Sequence, residues 1–246
     1  MADTIERFQV LETCEFFADV PTHIRETVLS AARLRRFACR QVMFVMDDPI
    51  KETFLLLKGC AKVTQFTKEG EEIALRITAP GELVGELGSV AGSKHSSTAR
   101  ALQECEALVW ATETFDAALM RFPVLERNAY NMLRNRLREM ERHICRVSTQ
   151  QASGRVASEL VQLSNQIGQK VNSHVEIKIP QEALAQMTAM DVWTLNRVLR
   201  DLENQGFLRI RRMCIEVHDS PGLLGLCMPP GWVFRQASQE ALVSAT

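Results

Sequence analysis

VLERNAYNMLRNRLREMERHICRV, the stretch from Val124 to Val147, decides how the rest of the chain is read. Tyr130, Leu133, Leu137, Met140, Ile144 and Val147 step along it at intervals of three, four, three, four and three, the heptad repeat of a coiled-coil seam. Pro123 stands where a helix can start. Between Arg121 and Val147 seven arginines accompany three glutamates, so one narrow apolar stripe runs through a polar, mostly basic surface. Such a stripe favours pairing with a second copy of the same helix. Arg136 and Glu141, five residues apart beside the seam, have the spacing of salt bridges between parallel strands of a coiled coil. The alternative is a single amphipathic helix packed on its own domain.

On the N-terminal side, from Phe37 to Trp110, the texture changes to short apolar runs: Val42 to Met46, Phe54 to Leu57, Ala61 to Phe66, Ile73 to Ile77 and Leu102 to Trp110. Turn signals at Asp47-Asp48-Pro49, Lys58-Gly59, Lys68-Glu69-Gly70 and Pro80-Gly81 separate them at the close spacing of an antiparallel barrel or roll. Ile73, Leu75 and Ile77 alternate with Ala74 and Arg76, which predicts one wet face on that strand. Earlier still, Leu11, Phe16, Phe17, Val20, Ile24, Val28 and Leu29 recur at helical spacing, broken by Pro21, and predict short helices. Between Pro80 and Ala101 the strand pattern lapses into PGELVGELGSVAGSKHSSTARA. Its glycines allow tight turns, and backbone amides at the start of a short helix there can hold an anion; an ordinary turn fits the same residues.

On the C-terminal side, Gln150 to Gly154 makes a polar hinge, and Val156, Leu160, Leu163 and Ile167 begin a new helix stopped by Gly168. Val175, Ile177 and Ile179 form a short alternating strand ending at Pro180, followed by a brief helix over Gln181 to Met187. After a tight turn at Thr188 to Met190, Asp191 can cap a helix running to about Asn204. Two helices joined this way make a helix-turn-helix. Val192, Leu195, Val198, Leu199 and Leu202 take the inward side of the second helix, and Trp193, Asn196, Arg197 and Arg200 the outward side. That outward face carries donors suited to a DNA major groove, although a solvated helix face has the same spacing. Leu208 to Arg212 and Ile215 to His218 predict a hairpin whose turn carries Arg211 and Arg212, placed for a neighbouring phosphate.

At 246 residues the chain has room for two small domains. The first residues have no signal-peptide pattern and no apolar run is long enough to span a bilayer, so a cytoplasmic protein without a membrane partner is expected. Seven scattered cysteines without a CxxC pair predict buried free thiols rather than a disulfide framework or a metal site. No nucleophile-base or metal-ligand constellation points to an enzyme.

A barrel, a glycine-rich link, a heptad helix, a helix-turn-helix and a hairpin, in that order, resemble the CRP/FNR family of bacterial transcription regulators. The resemblance covers roughly residues 10 to 225. It rests on PGELVGELG at 80 to 88, ARA at 99 to 101, GRVASELVQL at 154 to 163 and TLNRVLRDLENQGFLRI at 194 to 210. It implies an α+β chain of three parts and a tail. Residues 1–122 would be an effector-sensing, cyclic-nucleotide-binding-like β-barrel of the jelly-roll type with N-terminal helices. Residues 123–149 would be the dimerisation helix and hinge, 150–228 a winged helix-turn-helix DNA-binding domain, and 229–246 an irregular tail. It further implies a homodimer on double-stranded DNA with two-fold-related half-sites, and RNA polymerase as a partner.

Gly85, Glu86, Leu87, Gly88, Lys94, His95, Ser96, Met140 and Glu141 are the candidate effector residues. Family members that bind cyclic AMP hold the ribose on the GELG glutamate, here Glu86, and neutralise the cyclic phosphate with an Arg-Ser pair. At that pair's place stand His95 and Ser96, preceded by Lys94, without the guanidinium fork. Met140 and Glu141 take the place of a Thr-Ser pair that reaches the adenine. Nucleotide groups buried without partners cost roughly 1–3 kcal/mol each, so cyclic AMP is not the expected effector. With only Cys14 ahead of Cys39, the cysteine cluster of FNR-type iron-sulfur members is missing. For haem, His95 and His143 are the histidines best placed as axial ligands, an unligated histidine being the commoner state. The effector is therefore left unnamed, and a constitutively active dimer remains open.

The candidate DNA contacts are Gln181, Trp193, Thr194, Asn196, Arg197, Arg200, Arg211 and Arg212. Where many members begin the reading helix with Ser-Arg-Glu-Thr, this chain has Asp191-Val192-Trp193-Thr194, while the later arginine survives as Arg197. A different operator, richer in A·T pairs, is expected. The competing reading is a sensor or protein-interaction module with a degenerate DNA-binding head.

Overall fold

A computed structural model describes residues 9–86 and 93–227. The chain divides into two compact units between Glu141 and Arg142, inside a helix that runs unbroken over Pro123–Thr149. The expected irregular tail from residue 229 lies outside the described residues, as do the candidate effector residues Leu87 and Gly88.

Among the described residues of the first unit, eight strands form two four-stranded antiparallel sheets. One, in the order β1-β8-β3-β6, contains Arg33–Phe37, Cys105–Ala111, Glu52–Lys58 and Leu83–Val84. The other, in the order β2-β7-β4-β5, contains Val42–Phe44, Thr98–Ala101, Ala61–Phe66 and Glu72–Thr78. Strand β3 explains the arrangement: its run Phe54-Leu55-Leu56-Leu57 is apolar on both faces because both are covered. Phe54 and Leu56 point among Phe37, Phe44, Val63 and Val109, whereas Leu55 and Leu57 point among Phe16, Phe17, Trp110 and Phe115. Trp110 Nε1 donates to Val28 O at 2.8 Å, tying the sheet to the helix Thr22–Ser30.

Strands β1, β6 and β7 are absent from the apolar runs read in sequence. Of the five residues of β1, RLRRF, three are arginines, and it forms an edge, where charge is tolerated and pairing to further chains is discouraged. The expected strand from Leu102 starts only at Cys105. Strand β5 reverses its expected faces over part of its length: Ile73 and Leu75 are exposed, while Ala74 is buried and Arg76 half-buried. Its register against β4 shifts between Val63 and Thr64, so simple alternation does not hold along the pair.

The long helix carries two apolar stripes. Leu125, Ala129 and Met132 are buried in the roll's core, and Asn128 Nδ2 donates to Phe16 O at 3.0 Å and Ala18 O at 2.7 Å. The heptad residues form the other stripe. Helix-to-domain packing and an unpartnered seam therefore coexist on one element.

In the second unit, helix Ala152–Gln166 leads into β9 (Gln169–Val171) and β10 (His174–Ile177), then helices Gln181–Met187 and Val192–Asn204, then β11 (Leu208–Arg211) and β12 (Cys214–Val217). The strands order as β11-β12-β10-β9 beside a helix-turn-helix, and Val156, Leu160, Leu163, Ile177, Leu184, Leu195, Leu199 and Leu223 are among its buried residues. Just past the helix end, only a glycine fits at Gly168, because a Cβ there would meet Ser164 O at 2.3 Å. The closing helix Ser220–Cys227, SPGLLGLC, was unexpected in a segment with two glycines; Leu223 anchors it and Gln150 Nε2 reaches Cys227 O at 2.8 Å.

Ala189, in the turn between the two helices, has φ +52°. An L-residue in this region costs about 1–2 kcal/mol, partly offset by the roughly 0.5–1 kcal/mol entropic cost of a glycine. Ala189→Gly is therefore expected to stabilise the domain by up to about 1 kcal/mol, read as a higher urea midpoint at an unchanged m-value.

Candidate functional site

The roll's candidate site centres on Glu86, just past β6. Gly85 before it has φ +98°, and a Cβ there would stand 3.3 Å from Phe44, so the backbone passes where only glycine fits comfortably. His95 is buried flat against Phe44, ring centroids 3.9 Å apart and planes 12° from parallel. Its backbone is pinned by His95 N to Asp48 O at 2.9 Å and Asp47 N to His95 O at 2.8 Å. From there His95 Nδ1 meets Glu86 Oε2 at 2.7 Å. Ser96 donates its amide (2.7 Å) and its hydroxyl (2.9 Å) to Glu86 Oε1.

Burial raises the Glu86 pKa, but the Ser96 amide, the His95 ring and the Ser96 hydroxyl outweigh it and hold the carboxyl below its ordinary value of 4.5. The ionised carboxylate only accepts, which puts the His95 proton on Nδ1. A lowered folded pKa contributes stability above the unfolded pKa, which is lost as pH falls through the folded one. Acidification from pH 5 is therefore expected to destabilise the native roll more than a Glu86→Gln variant, measured by denaturant melts at stepped pH.

Two arginines that the sequence reading left out of the site lie beside this network. Arg136, expected to salt-bridge Glu141 across the seam, instead turns inward; Nη1 donates to Gly85 O at 3.0 Å and Nη2 to Leu83 O. Burial, then the charge of Arg76, bring its pKa down to about 9, with Glu82, Glu86 and Glu139 opposing. Arg76 sends Nη1 to Thr78 Oγ1 at 2.8 Å; burial lowers its pKa while Glu82, Glu139 and Glu86 support the charge. Two desolvated arginines thus lie beside the carboxylates of Glu82, Glu86 and Glu139. Lys94 is exposed and its backbone bridges Pro49, while Met140 and Glu141 are exposed on the long helix. Among the candidate effector residues, then, Gly85, Glu86, His95 and Ser96 come together around one carboxylate.

Along the seam, Tyr130 (66%), Leu133 (41%), Leu137 (58%), Met140 (56%) and Ile144 (61%) keep these fractions of their surface exposed, and Val147 is half-buried. The thiols are not uniformly buried as expected: Cys39 and Cys145 are exposed. Cys14, Cys60 and Cys105 are buried, and desolvation pushes their pKa values up to about 11, 12 and 11, so they stay protonated and unreactive.

In the second unit, Asp191 caps the outer helix of the helix-turn-helix. Its carboxylate takes Thr194 N at 2.8 Å and Thr194 Oγ1 at 2.7 Å, which lowers its pKa and commits both Thr194 donors to the cap. Leu195, Val198, Leu199 and Leu202 are buried as expected; Val192, expected inward, is 41% exposed at the first position of the helix. Trp193 is 71% exposed, with the Arg197 guanidinium 5.2 Å from its ring centroid, and Arg200 is exposed on the same side. Asn196 is half-buried, with Nδ2 on Val192 O at 3.0 Å. Gln181 is half-buried at the start of its helix. Arg211 closes β11 rather than sitting in the turn, and its Nε donates to Glu216 Oε1 at 3.0 Å; Arg212 is exposed in the turn. Arg209, not singled out in the sequence, is exposed two residues before Arg211, on the same face of the strand.

The model of the cyclic nucleotide-binding domain matches residues 34–122, and that of the Crp-like helix-turn-helix domain matches 154–226. The chain is 26% identical over 196 residues to the "Cyclic AMP receptor protein" of Thermus thermophilus, an alignment covering 79% of this chain and 88% of that one. It is 23% identical over 183 residues, 74% and 82% of the two chains, to the "CRP-like cAMP-activated global transcriptional regulator" of Mycobacterium tuberculosis. Among solved structures, FixK2 from Bradyrhizobium japonicum superposes with a TM-score of 0.72 at 17% identity, covering 81% of this chain and 99% of that one, a likeness of fold.

Proposed function

The chain belongs to the CRP/FNR family of transcription regulators, and we propose that it acts as a homodimer whose paired long helices set two reading helices on adjacent DNA half-sites. The observation that carries this reading is the stripe from Tyr130 to Ile144, left largely exposed on a helix whose other apolar stripe already serves its own domain. A single protomer keeps that stripe in water; a parallel second copy buries it. Trp193, Asn196, Arg197 and Arg200 would face bases and nearby phosphates. Gln181, Arg209, Arg211 and Arg212 would hold the backbone, Arg211 by exchanging Glu216 for a phosphate. RNA polymerase fits as the partner of a DNA-bound regulator.

The effector is read as an anion other than cyclic AMP. His95 and Ser96, at the place of the family's phosphate-binding pair, are both bonded to Glu86, and Arg76 and Arg136 supply positive charge beside it. Binding such a ligand would compete for the Arg136 bonds to the β6 backbone and so bias the packing of the long helix, a population shift between seam geometries. Haem has weaker support, because His95 is buried with its ring stacked flat against Phe44.

Native mass spectrometry of the purified chain, combined with its absorption spectrum, tests this reading. Two chains per particle are expected, with any co-purified ligand anionic and no Soret band. A monomer at micromolar concentration would overturn the dimer, and a stoichiometric Soret band would overturn the effector reading.

A further inference from the structure

The four titratable residues His174, Glu176, Glu216 and His218 are gathered on the outer face of the winged sheet. Strands β10 and β12 pair antiparallel with Val175 opposite Val217, Glu176 opposite Glu216 and Ile177 opposite Ile215. Ile177, Ile215 and Val217 point into the core, so the alternate residues point out together. His174-x-Glu176 on one strand and Glu216-x-His218 along the other thus stack their histidines and carboxylates as facing pairs. The imidazole rings lie 5.1 Å apart.

Like charges directly opposite one another in a sheet destabilise it, and Glu176 faces Glu216. Each carboxylate gives one oxygen to a cation, Glu176 Oε2 to Lys178 at 3.3 Å and Glu216 Oε1 to Arg211 at 3.0 Å. The other two oxygens turn toward the histidines. Glu176 Oε1 is 3.8 Å from His174 Nε2, and Glu216 Oε2 is 3.6 Å from His218 Nε2, both beyond a hydrogen bond. His174 Nε2 is buried and has no hydrogen-bond partner. One ligand atom from each of His174, Glu176 and Glu216 lies within 4.8 Å of the others.

We propose that His174, Glu176, Glu216 and His218 form a transition-metal site, with zinc as the ion. Imidazole and carboxylate suit zinc, which takes tetrahedral nitrogen and oxygen ligands at about 2.0–2.2 Å. Donor atoms around such an ion stand roughly 3.3–3.5 Å apart; those of His174, Glu176 and Glu216 already gather within 4.8 Å, and His218, 3.6 Å from Glu216, is the ligand that must swing in to complete the set. The ion would give His174 Nε2 its missing partner and neutralise the facing carboxylates. Lys178 would stay on the outer oxygen of Glu176, where a second-layer partner orients a ligand, and Arg211 would do the same for Glu216 until a DNA phosphate draws it away. It would also clamp β10 to β12 and so fix the hairpin that carries Arg211 and Arg212.

The test is a titration of the metal-stripped, reduced full chain with Co2+, a spectroscopic stand-in for zinc, followed by competition with Zn2+. Expected is one ion per chain with the visible bands of tetrahedral cobalt, no sulfur-to-cobalt charge-transfer band, and displacement by zinc. His218→Gln and His174→Gln are each expected to weaken binding by at least about a hundredfold, with far-ultraviolet circular dichroism unchanged. His218 is the more exposed of the two and guards against a variant that merely fails to fold. Absence of cobalt bands, a thiolate charge-transfer band, or equal affinity in the His218→Gln variant would overturn the site.

Discussion

Leu137→Glu is expected to convert the proposed homodimer to a monomer while leaving each protomer folded. Leu137 is 58% exposed in the protomer and lies on the stripe turned away from the roll, so its own core loses nothing. In the paired helices it would be buried twice, once from each chain. Burying a fully exposed leucine is worth about 1.5–3 kcal/mol, and Leu137 has 58% of its surface left to bury, so two copies forfeit about 2–3.5 kcal/mol, a rise of roughly thirtyfold to three-hundredfold in the dimer dissociation constant. The facing carboxylates add repulsion. Sedimentation at micromolar concentration reads the change, and the thermal midpoint of the dilute wild-type protomer serves as the control. A Leu137→Glu chain that still sediments as a dimer would show that the seam is not the interface.

Arg197→Ala carries the second large effect. The guanidinium rests over Trp193 on the exposed side of a helix whose buried face is complete without it, so the head keeps its fold. Losing one arginine that reads a base costs about 1–3 kcal/mol, and a dimer loses it at both half-sites. DNA affinity is expected to fall by roughly thirtyfold to ten-thousandfold on the preferred site, with little change on random sequence. Arg212→Ala should behave differently, weakening all sequences alike and flattening the salt dependence. Unchanged DNA binding by Arg197→Ala would favour a degenerate head, a reading that the exposed Val192 and Trp193 keep in view.

The order of elements was legible because each has its own period: heptads for the long helix, alternation for the strands, and a capped helix after Asp191. What escaped depends on which of two equally periodic faces meets a neighbour. Leu125, Ala129 and Met132 form a second stripe at spacings of four and three on the same helix, and only the roll's core decides that this one is internal. Arg136 sits beside the heptad seam and reads as a coiled-coil ion-pair partner until the carbonyls of Leu83 and Gly85 claim it. Arg76 alternates with apolar residues whose exposure the roll reverses. In the effector site, Glu86 could be singled out from the GELG pattern, but its bonds to His95 and Ser96, nine and ten residues further on, follow no periodicity. The His174 and His218 cluster joins residues far apart in sequence through strand register; the mirrored His-x-Glu and Glu-x-His pairs were its one visible trace, and no metal was expected there.

The most direct measurement is selection of bound sequences from a random-centred DNA library at moderate salt, using the wild-type chain. Two-fold-related half-sites centred about one helical turn apart, enriched together and lost in the Leu137→Glu chain, are the expected result. Salt-sensitive retention of DNA with no enriched sequence would contradict a dimer reading paired half-sites.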